Sequence, residues 1–420
     1  MRKISKLSLV AAVAVAGFST ANAQPLEEAI KNVEVSGSVV YRYDNFGQDK
    51  INGVTKDDAK RSGENNYKIG LNLSSVVNDY VKFNSRFIVG DSKHAGFASL
   101  KAGRDGNTAG ADGQADVSLS NAYFGFTAIP NTVINIGKQG LTTPYTVATD
   151  INGNEQTGTG ILALTNVGPV TAGAGYFNNT NLNHSTEINA TLGGGLGATG
   201  LKFNGGNDIY VATVQGDLDF VKLEAWYAGM QDTFNSYTLA ATGDVELAEN
   251  AKLGLEARYV TLTLDDKVVG NGEDKNAMFR VGVNGKVGIV NAKVVYVNTD
   301  KKGGLIALDQ DSKNATLGWA ITSNGVANAD YWQAALGADI LDNLNFTVNY
   351  GNLKAKDTNR ANALAITNVK AQEVYGQLTY KMSKNLSTYL RYGTYEQKVE
   401  STGAKQIDQN RGRIQVAYTF

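Results

Sequence analysis

The sequence has no cysteine, and only 4 prolines and 2 histidines occur among its 420 residues. No thiol is therefore available for catalysis or for a disulfide. After residue 23 the chain also lacks any run that approaches the roughly 20 apolar residues of a membrane-spanning helix. These absences exclude a helical inner-membrane protein. The 47 glycines, 20 tyrosines and 14 phenylalanines instead favour a chain rich in strands and turns.

The first 23 residues have the three parts of a secretory signal peptide. A positive start precedes an apolar stretch at residues 7–17, and Ala21-Asn22-Ala23 forms a small-x-small cleavage site. We therefore expect residues 1–23 to be a signal peptide and residues 24–420 to be one mature domain. That domain has 36 basic and 40 acidic residues, a net charge of −4, which argues against a nucleic-acid partner.

The last ten residues alternate strictly between two kinds of side chain. Ile414, Val416 and Tyr418 lie on one face, and Arg411 and Arg413 lie on the other. A period of two gives a strand one face suited to lipid and one suited to water. A final strand of this kind that ends in phenylalanine is typical of a bacterial outer-membrane barrel.

Segments with the same alternation follow each other along the chain, joined in turn by short and long connections. In outer-membrane barrels the short turns lie in the periplasm and the long loops at the cell surface. The sequence thus predicts an all-β fold, a transmembrane antiparallel β-barrel of about 18 strands in the outer membrane. The predicted strands are residues 33–44, 65–75, 80–90, 117–127, 131–139, 159–166, 169–177, 208–215, 219–229, 236–247, 251–262, 277–284, 289–298, 329–340, 344–353, 371–381, 386–397 and 410–420.

Two internal segments and the final strand resemble one known family. They are Pro25-Leu26-Glu27-Glu28-Ala29-Ile30-Lys31-Asn32-Val33-Glu34-Val35-Ser36-Gly37 and Ile136-Gly137-Lys138-Gln139. The chain resembles the Campylobacter-type major outer membrane protein, a trimeric general porin family. The resemblance implies an 18-stranded homotrimeric diffusion channel, surrounded by outer-membrane lipid and lipopolysaccharide, whose third loop folds into the lumen.

Groups suited to catalysis are scarce. His94 and His184 fall in predicted loops, and no serine sits in a G-x-S-x-G elbow. An outer-membrane phospholipase would need a serine and a base together on its lipid-facing rim. The sequence therefore predicts a protein that is not an enzyme and requires no cofactor.

The third long connection, residues 140–158, is the one that the resemblance places inside the lumen. It contains Asp150 and Glu155 and no basic residue, so we expect both acids at the pore constriction. Together with Asn152 and Asn154 they offer side-chain oxygens spaced like the start of a calcium loop, although the glycine and glutamate of an EF-hand are missing. A weak calcium site and a solvated acidic loop are both open here.

A set of basic residues is expected on the wall that faces this loop. By strand parity they point inward from strands that become neighbours when the barrel closes. Opposed charges across a narrow passage create a transverse field that orients polar solutes. The alternative is that these residues are charged only because water wets the lumen wall. The residues are Arg42, Lys68, Lys82, Arg86, Arg391, Arg411 and Arg413.

These patterns predict a general-diffusion porin, a water-filled channel for small hydrophilic solutes and ions with weak cation selectivity. The cation preference is expected from the acids of the third loop, and the basic wall should keep it small. The alternative is a surface-exposed adhesin or structural outer-membrane protein that uses its long loops for contact with a host. Channel recordings in a lipid bilayer distinguish the two.

Overall fold

The chain forms one closed antiparallel β-barrel. The computed structural model describes residues 33–51, 54–55, 62–91, 95–101, 115–184 and 205–420. The predicted signal peptide lies outside the described residues, as do most of the N-terminal segment that carries the family resemblance and His94. No helix among the described residues is long and apolar enough to cross a membrane.

The described residues form twenty strands, of which eighteen build the barrel and two short ones, β2 and β5, extend it at the loop end. The predicted fold class and the count of 18 barrel strands are confirmed. The strands are β1 Val33–Ile51, β2 Val54–Thr55, β3 Ser62–Asn78, β4 Val81–Gly90, β5 Ala98–Lys101, β6 Asp116–Phe126, β7 Thr132–Gly140, β8 Thr157–Val167, β9 Val170–Thr180, β10 Ile209–Leu218, β11 Val221–Met230, β12 Phe234–Ala248, β13 Ala251–Leu264, β14 Lys275–Val287, β15 Val290–Thr299, β16 Ala329–Leu341, β17 Leu344–Ala355, β18 Val369–Lys381, β19 Leu386–Val399 and β20 Lys405–Thr419.

The barrel closes where β20 pairs with β1. The pairing is antiparallel and runs from Ser38 opposite Thr419 towards the loop end. Beyond it, Gly37 N–H donates to the Phe420 carbonyl (2.9 Å), and Phe420 N–H donates to the Gly37 carbonyl (3.1 Å). Closure satisfies the backbone groups of both terminal strands, which lipid could not do.

Side chains alternate between the two faces of the wall as the sequence predicts. On β16 the exposed fraction is 51% for Trp332 and 61% for Leu336, whereas Tyr331 is fully buried on the inner face. On β20 Ile414 is exposed and Arg413 is buried inside the barrel. The apolar outer face therefore meets lipid, and the polar residues face the lumen.

Several predicted strand ends differ from the structure. The strand expected at residues 277–284 continues to Val287, Gly285 still pairs with β15, and the chain reverses at Gly288, which has a positive φ of 55°. Residues 398–409 were expected to be a long loop, but β20 already begins at Lys405. Alternation sets the faces of a strand, whereas its end depends on where the partner strand stops pairing.

An apolar core lies inside the barrel at its loop end. There the inward side chains of several strands are apolar, for example Val260 and Leu262 on β13 and Val297 on β15. They pack against Leu305 and Ile306 of the connection between β15 and β16. The inner face is thus polar towards the turns and apolar towards the loops, because chain, not water, covers it there. A short helix, α1 Asp266–Val269, lies beyond β13.

Replacing Ile414 by arginine should destabilise the folded barrel. The side chain would place a charge in lipid, at a cost of about 2 to 4 kcal/mol near the bilayer midplane. Reversible urea unfolding in lipid vesicles measures the free energy. Ala417→Arg, three residues along the same strand but on the lumen face, is the control and should cost far less. Equal losses in the two variants would show that the faces are wrongly assigned.

Candidate functional site

Two loops enter the lumen from the loop end. The first lumen loop, residues 141–156, joins β7 to β8, and the second lumen loop, residues 300–328, joins β15 to β16. The first was expected inside the barrel, whereas the second was expected at the surface. Leu308 N–H of the second loop donates to the Tyr145 carbonyl of the first (2.9 Å). The two loops therefore form one connected layer across the lumen.

Asp150 closes the tip of the first lumen loop. Its Oδ1 accepts the N–H groups of Asn152 (2.9 Å) and Asn154 (2.8 Å), and its Oδ2 accepts the Asn154 side-chain amide (2.7 Å). Gly153, with a φ of 84°, permits the reversal of the chain. Burial raises the pKa of Asp150, and these hydrogen bonds offset only part of the effect. Asp150 therefore shapes the loop and is itself buried.

Glu155 attaches the first lumen loop to the barrel wall. Its carboxylate accepts hydrogen bonds from Lys68 Nζ (2.6 Å), Arg86 Nε (2.9 Å) and Ser120 Oγ (2.8 Å). Burial alone would raise the pKa of Glu155, but the hydrogen bonds and charges of Arg86 and Lys68 outweigh it and hold the pKa below its usual range. The predicted acid thus touches two of the predicted bases and does not face them across a gap.

The same tip has further contacts with the wall. Arg42 Nη1 donates to the Ile151 carbonyl (3.2 Å), and Lys68 Nζ donates to the Gly153 carbonyl (2.5 Å). The Arg42 guanidinium also lies 4.3 Å from the centre of the Phe97 ring. Side chains of β1 and β3 therefore bind the loop backbone, in addition to the contacts that β3 and β4 make with the Glu155 carboxylate.

The remaining predicted bases have other partners or positions. Arg413 forms an ion pair with Asp44 of β1 (2.5 Å), and Arg391 donates to Gln377 (2.6 Å). Lys82 lies on β4 four residues from Arg86 towards the turn, about 13 Å along the strand. The basic residues are thus on neighbouring strands as expected, but they do not form one free positive surface.

The four residues suggested for calcium do not converge. Asp150 accepts N–H groups from Asn152 and Asn154, whereas Glu155 is turned towards Lys68. Calcium takes about six to eight oxygen ligands. In the described part of the chain no group of three His, Cys, Asp or Glu residues could hold a metal ion. Calcium binding at this loop would therefore require Asp150 to exchange its N–H donors for the ion.

One end of the second lumen loop is anchored on β13 and β14. Arg280 donates to the carbonyls of Lys313 (2.7 Å) and Ala315 (2.8 Å), and its guanidinium also pairs with Glu256 (2.5 Å). Arg258 donates to the Asn314 side chain (3.3 Å). These arginines are buried, so backbone carbonyls and a carboxylate replace the water that they would otherwise bind.

The other end of the second lumen loop reaches the wall near the closure of the barrel. Glu373 of β18 accepts the N–H groups of Trp319 (2.9 Å) and Ala320 (2.7 Å). Arg411 of β20 donates to the Trp319 carbonyl (3.1 Å). The loop therefore crosses part of the lumen between two sets of buried charged residues.

Sequence reasoning missed this loop, although a signal for it exists. Residues 305–308 read Leu-Ile-Ala-Leu, an apolar run that a water-exposed loop rarely carries. The strand before the loop is apolar on both faces at its end, as in Val294, Val295 and Val297. An inward face that turns apolar near a loop indicates that the loop folds over it.

Two cavities whose linings include charged side chains adjoin this layer. The larger, about 660 Å³, reaches the turn end at Pro169 and Asp217. The smaller, about 300 Å³, lies towards the loop end and is lined by Tyr395 and Arg411. Ile151 belongs to the lining of both. The layer therefore narrows the lumen between two spaces lined by charged and polar side chains.

A family model for the Campylobacter major outer membrane protein matches residues 1–420, the whole chain. The chain belongs to this family. The match confirms the resemblance, and with the closed barrel it places the protein in the outer membrane. A comparison with curated proteins found no match.

Solved structures similar to this member of the Campylobacter major outer membrane protein family share its fold. Pseudomonas aeruginosa OpdL has a TM-score of 0.67 at 15% identity, with 93% of this chain and 99% of that one covered. OprD of the same species has 0.65 at 16%, with 92% and 93% covered. Acinetobacter baumannii OccAB2 has 0.65 at 16%, with 92% and 98% covered. The chain is thus a porin-like outer-membrane barrel.

Replacing Glu155 by glutamine should release the first lumen loop from the wall. The loss leaves Lys68 and Arg86 buried without their carboxylate, which typically costs about 3 to 5 kcal/mol. Hydrogen exchange should then speed up across residues 141–156. Glu396→Gln removes a carboxylate whose ion pairs, with Lys398 and Lys405, are partly exposed. This control should leave exchange in the loop unchanged, and equal protection in both variants would contradict the assignment.

Proposed function

We propose that the protein is a general-diffusion porin, a water-filled channel for small hydrophilic solutes and ions. The observation that carries the proposal is the pair of cavities, each with charged side chains in its lining, that adjoin the lumen layer inside a closed barrel of eighteen strands. A barrel of about 16 to 18 strands is wide enough to keep an aqueous channel, whereas about eight strands leave room only for side chains.

The lining of the larger cavity supports a channel of broad specificity. It includes both acidic and basic side chains, so a solute of either charge meets attractive and repulsive groups along the same path. Charged rings of one sign are the usual basis of strong ion selection in pores. The charged residues are Asp217, Lys222, Glu224, Glu256, Arg258, Arg280, Lys293, Asp311 and Lys313.

Planar-bilayer recording tests the channel directly. Purified protein should give steady open steps, and a silent membrane with folded protein present would contradict the porin. A silent result would favour the adhesin, whose long loops at residues 91–116 and 178–207 lie partly outside the described residues. The relatives in the family comparison are outer-membrane proteins by description, and the proposal includes no enzymatic step.

Ion selectivity is proposed to be weakly cationic, with the net charge of −4 on the predicted mature chain as its support. The preference should be small because Lys68 and Arg86 offset the charge of Glu155 at the first lumen loop. Calcium at this loop stays a proposal. If it binds, millimolar calcium should lower cation preference in the wild type and have no effect when Asp150 and Glu155 are both neutralised.

Single replacements at the first lumen loop should move the reversal potential in a salt gradient in opposite directions. Glu155→Gln leaves two cations uncompensated and should shift it towards anions. Arg42→Gln removes a guanidinium beside the loop tip and should shift it towards cations. Lys82→Gln is the control, and its effect should be smaller because this residue lies nearer the turn. Screening at about 1 M salt should reduce every shift. Equal shifts for Arg42 and Lys82 would contradict the constriction.

A homotrimer in lipopolysaccharide-containing outer membrane is also proposed. Small side chains of β8 to β11 form the floor of an outward groove of about 1010 Å³ that is rimmed by Tyr227, Tyr237 and Leu239. Small residues let neighbouring segments approach closely within lipid. The floor residues include Ala163, Ala172, Ala174, Ala212 and Ala225.

Mass measurement in mild detergent tests the trimer. The wild type should have three times the monomer mass. Ala174→Trp with Ala212→Trp should dissociate it, because bulky rings would fill the groove. Ala334→Trp, on the outer face of β16 away from the groove, should not. A monomer at every wild-type concentration would contradict the assembly.

A further inference from the structure

Two apolar side chains stand where the cavities meet. Ile151 at the tip of the first lumen loop and Leu317 of the second each line both the larger and the smaller cavity. Both are half-buried. The border that the two cavities share is therefore formed by two aliphatic side chains, which offer no hydrogen bond to a solute.

Leu317 lies in a small hairpin at the tip of the second lumen loop. It forms an isolated bridge with Thr322, and Gly318 N–H donates to the Ile321 carbonyl (2.8 Å). Trp319 and Ala320 are thus the two central residues of the turn. Their N–H groups point outward from it and are both bound by the Glu373 carboxylate.

Gly318 is required for this approach. A Cβ at this position would overlap Glu373 Oε1 and would lie 3.1 Å from the Tyr331 hydroxyl. With any other residue here, either the Glu373 carboxylate or the hairpin would therefore have to move, which would break the contact between them.

The Trp319 ring fixes the hairpin further. Its centre lies 5.2 Å from the Arg391 guanidinium and 4.9 Å from the Arg411 guanidinium. It also packs edge-on against Phe46 (6.2 Å) and Tyr375 (5.4 Å). Cation–π contacts gain strength when the groups are desolvated, and both the ring and the arginines are largely buried here.

Leu317 is therefore held from both sides. Residues 313–316 are bound to Arg258 and Arg280 on one wall, and the turn after Leu317 is bound to Glu373 and the two arginines on the other. A short segment anchored at both ends has little freedom to move out of the passage.

We propose that Ile151 and Leu317 form the slot that limits passage, and that Glu373 and Trp319 are positioning residues that keep Leu317 in it. The inference rests on the proposed channel and names the residues that set its width. An apolar narrowing holds water weakly and raises the barrier for hydrated solutes. The slot thus restricts flow through its shape and lack of polar groups, while charged residues on either side keep the cavities wet.

Because the chain has no cysteine, one introduced cysteine would be its only thiol. Leu317→Cys places it in the slot, and Lys293→Cys places it on the wall of the larger cavity. A bulky negatively charged methanethiosulfonate is then added during single-channel recording of the full protein. Current should fall about threefold or more at position 317 and by much less at position 293, because resistance concentrates at the narrowest point.

Other results would contradict either the slot or the channel. Equal reductions at both positions, or reaction at 293 without reaction at 317, would overturn the slot while leaving the channel intact. Absence of current in the wild type would overturn the proposed function itself.

The positioning role needs its own variants. Glu373→Gln and Gly318→Ala both disturb the hairpin, and Trp319→Leu does so while keeping Glu373. Each should raise open-channel current about twofold and weaken the block by reagent at Leu317→Cys, because the slot widens. Glu396→Gln is the control and should do neither. Wild-type current and full block in all three assembled variants would overturn the role of Glu373 and Trp319.

Discussion

Buried ionic contacts with the lumen wall are the interaction on which the pore depends. A barrel this wide has no continuous apolar core across its width, so loops can fold inward only where the wall satisfies their polar groups. Glu155 meets Lys68 and Arg86 on one side, and Arg280 binds the carbonyls of Lys313 and Ala315 on another. These contacts replace the water that polar groups of both loops lose when they fold inward.

The same contacts change the meaning of the charges inside the barrel. A row of inward arginines and lysines suggests an electric field across the passage, yet most of these groups have a structural partner. Arg413 is paired with Asp44, and Arg391 and Arg411 both lie within 5.2 Å of the centre of the Trp319 ring. The field felt by a solute is therefore smaller than the number of charges implies. The width of the passage and the chemistry of its narrowest point therefore matter more for which solutes pass.

Most of the barrel could be predicted from the sequence because lipid imposes a period of two on every strand. The faces of Trp332, Leu336 and Ile414 follow from that rule alone. The sequence predicts that Lys68 and Arg86 lie on neighbouring strands that face the loop of Glu155, but it does not predict their contact. Strand parity shows whether a side chain points inward or outward, and it gives no distance to another side chain. The second lumen loop was missed because loops obey no period. The available signal was that residues 305–308 of this loop are apolar. The inward side chains near the loop ends of some strands are apolar too, such as Val260 and Leu262 of β13, and the two sets pack together.

Both loops, held by buried charges, should leave a narrow aqueous passage through the barrel. Liposome swelling with sugars of increasing size tests it most directly, using the wild type and a variant in which residues 305–326 are replaced by a short glycine-serine linker. Heat-modifiable migration confirms that both barrels are folded. We expect the wild type to admit only small sugars and the variant to admit larger ones. The same size limit in both proteins would contradict it.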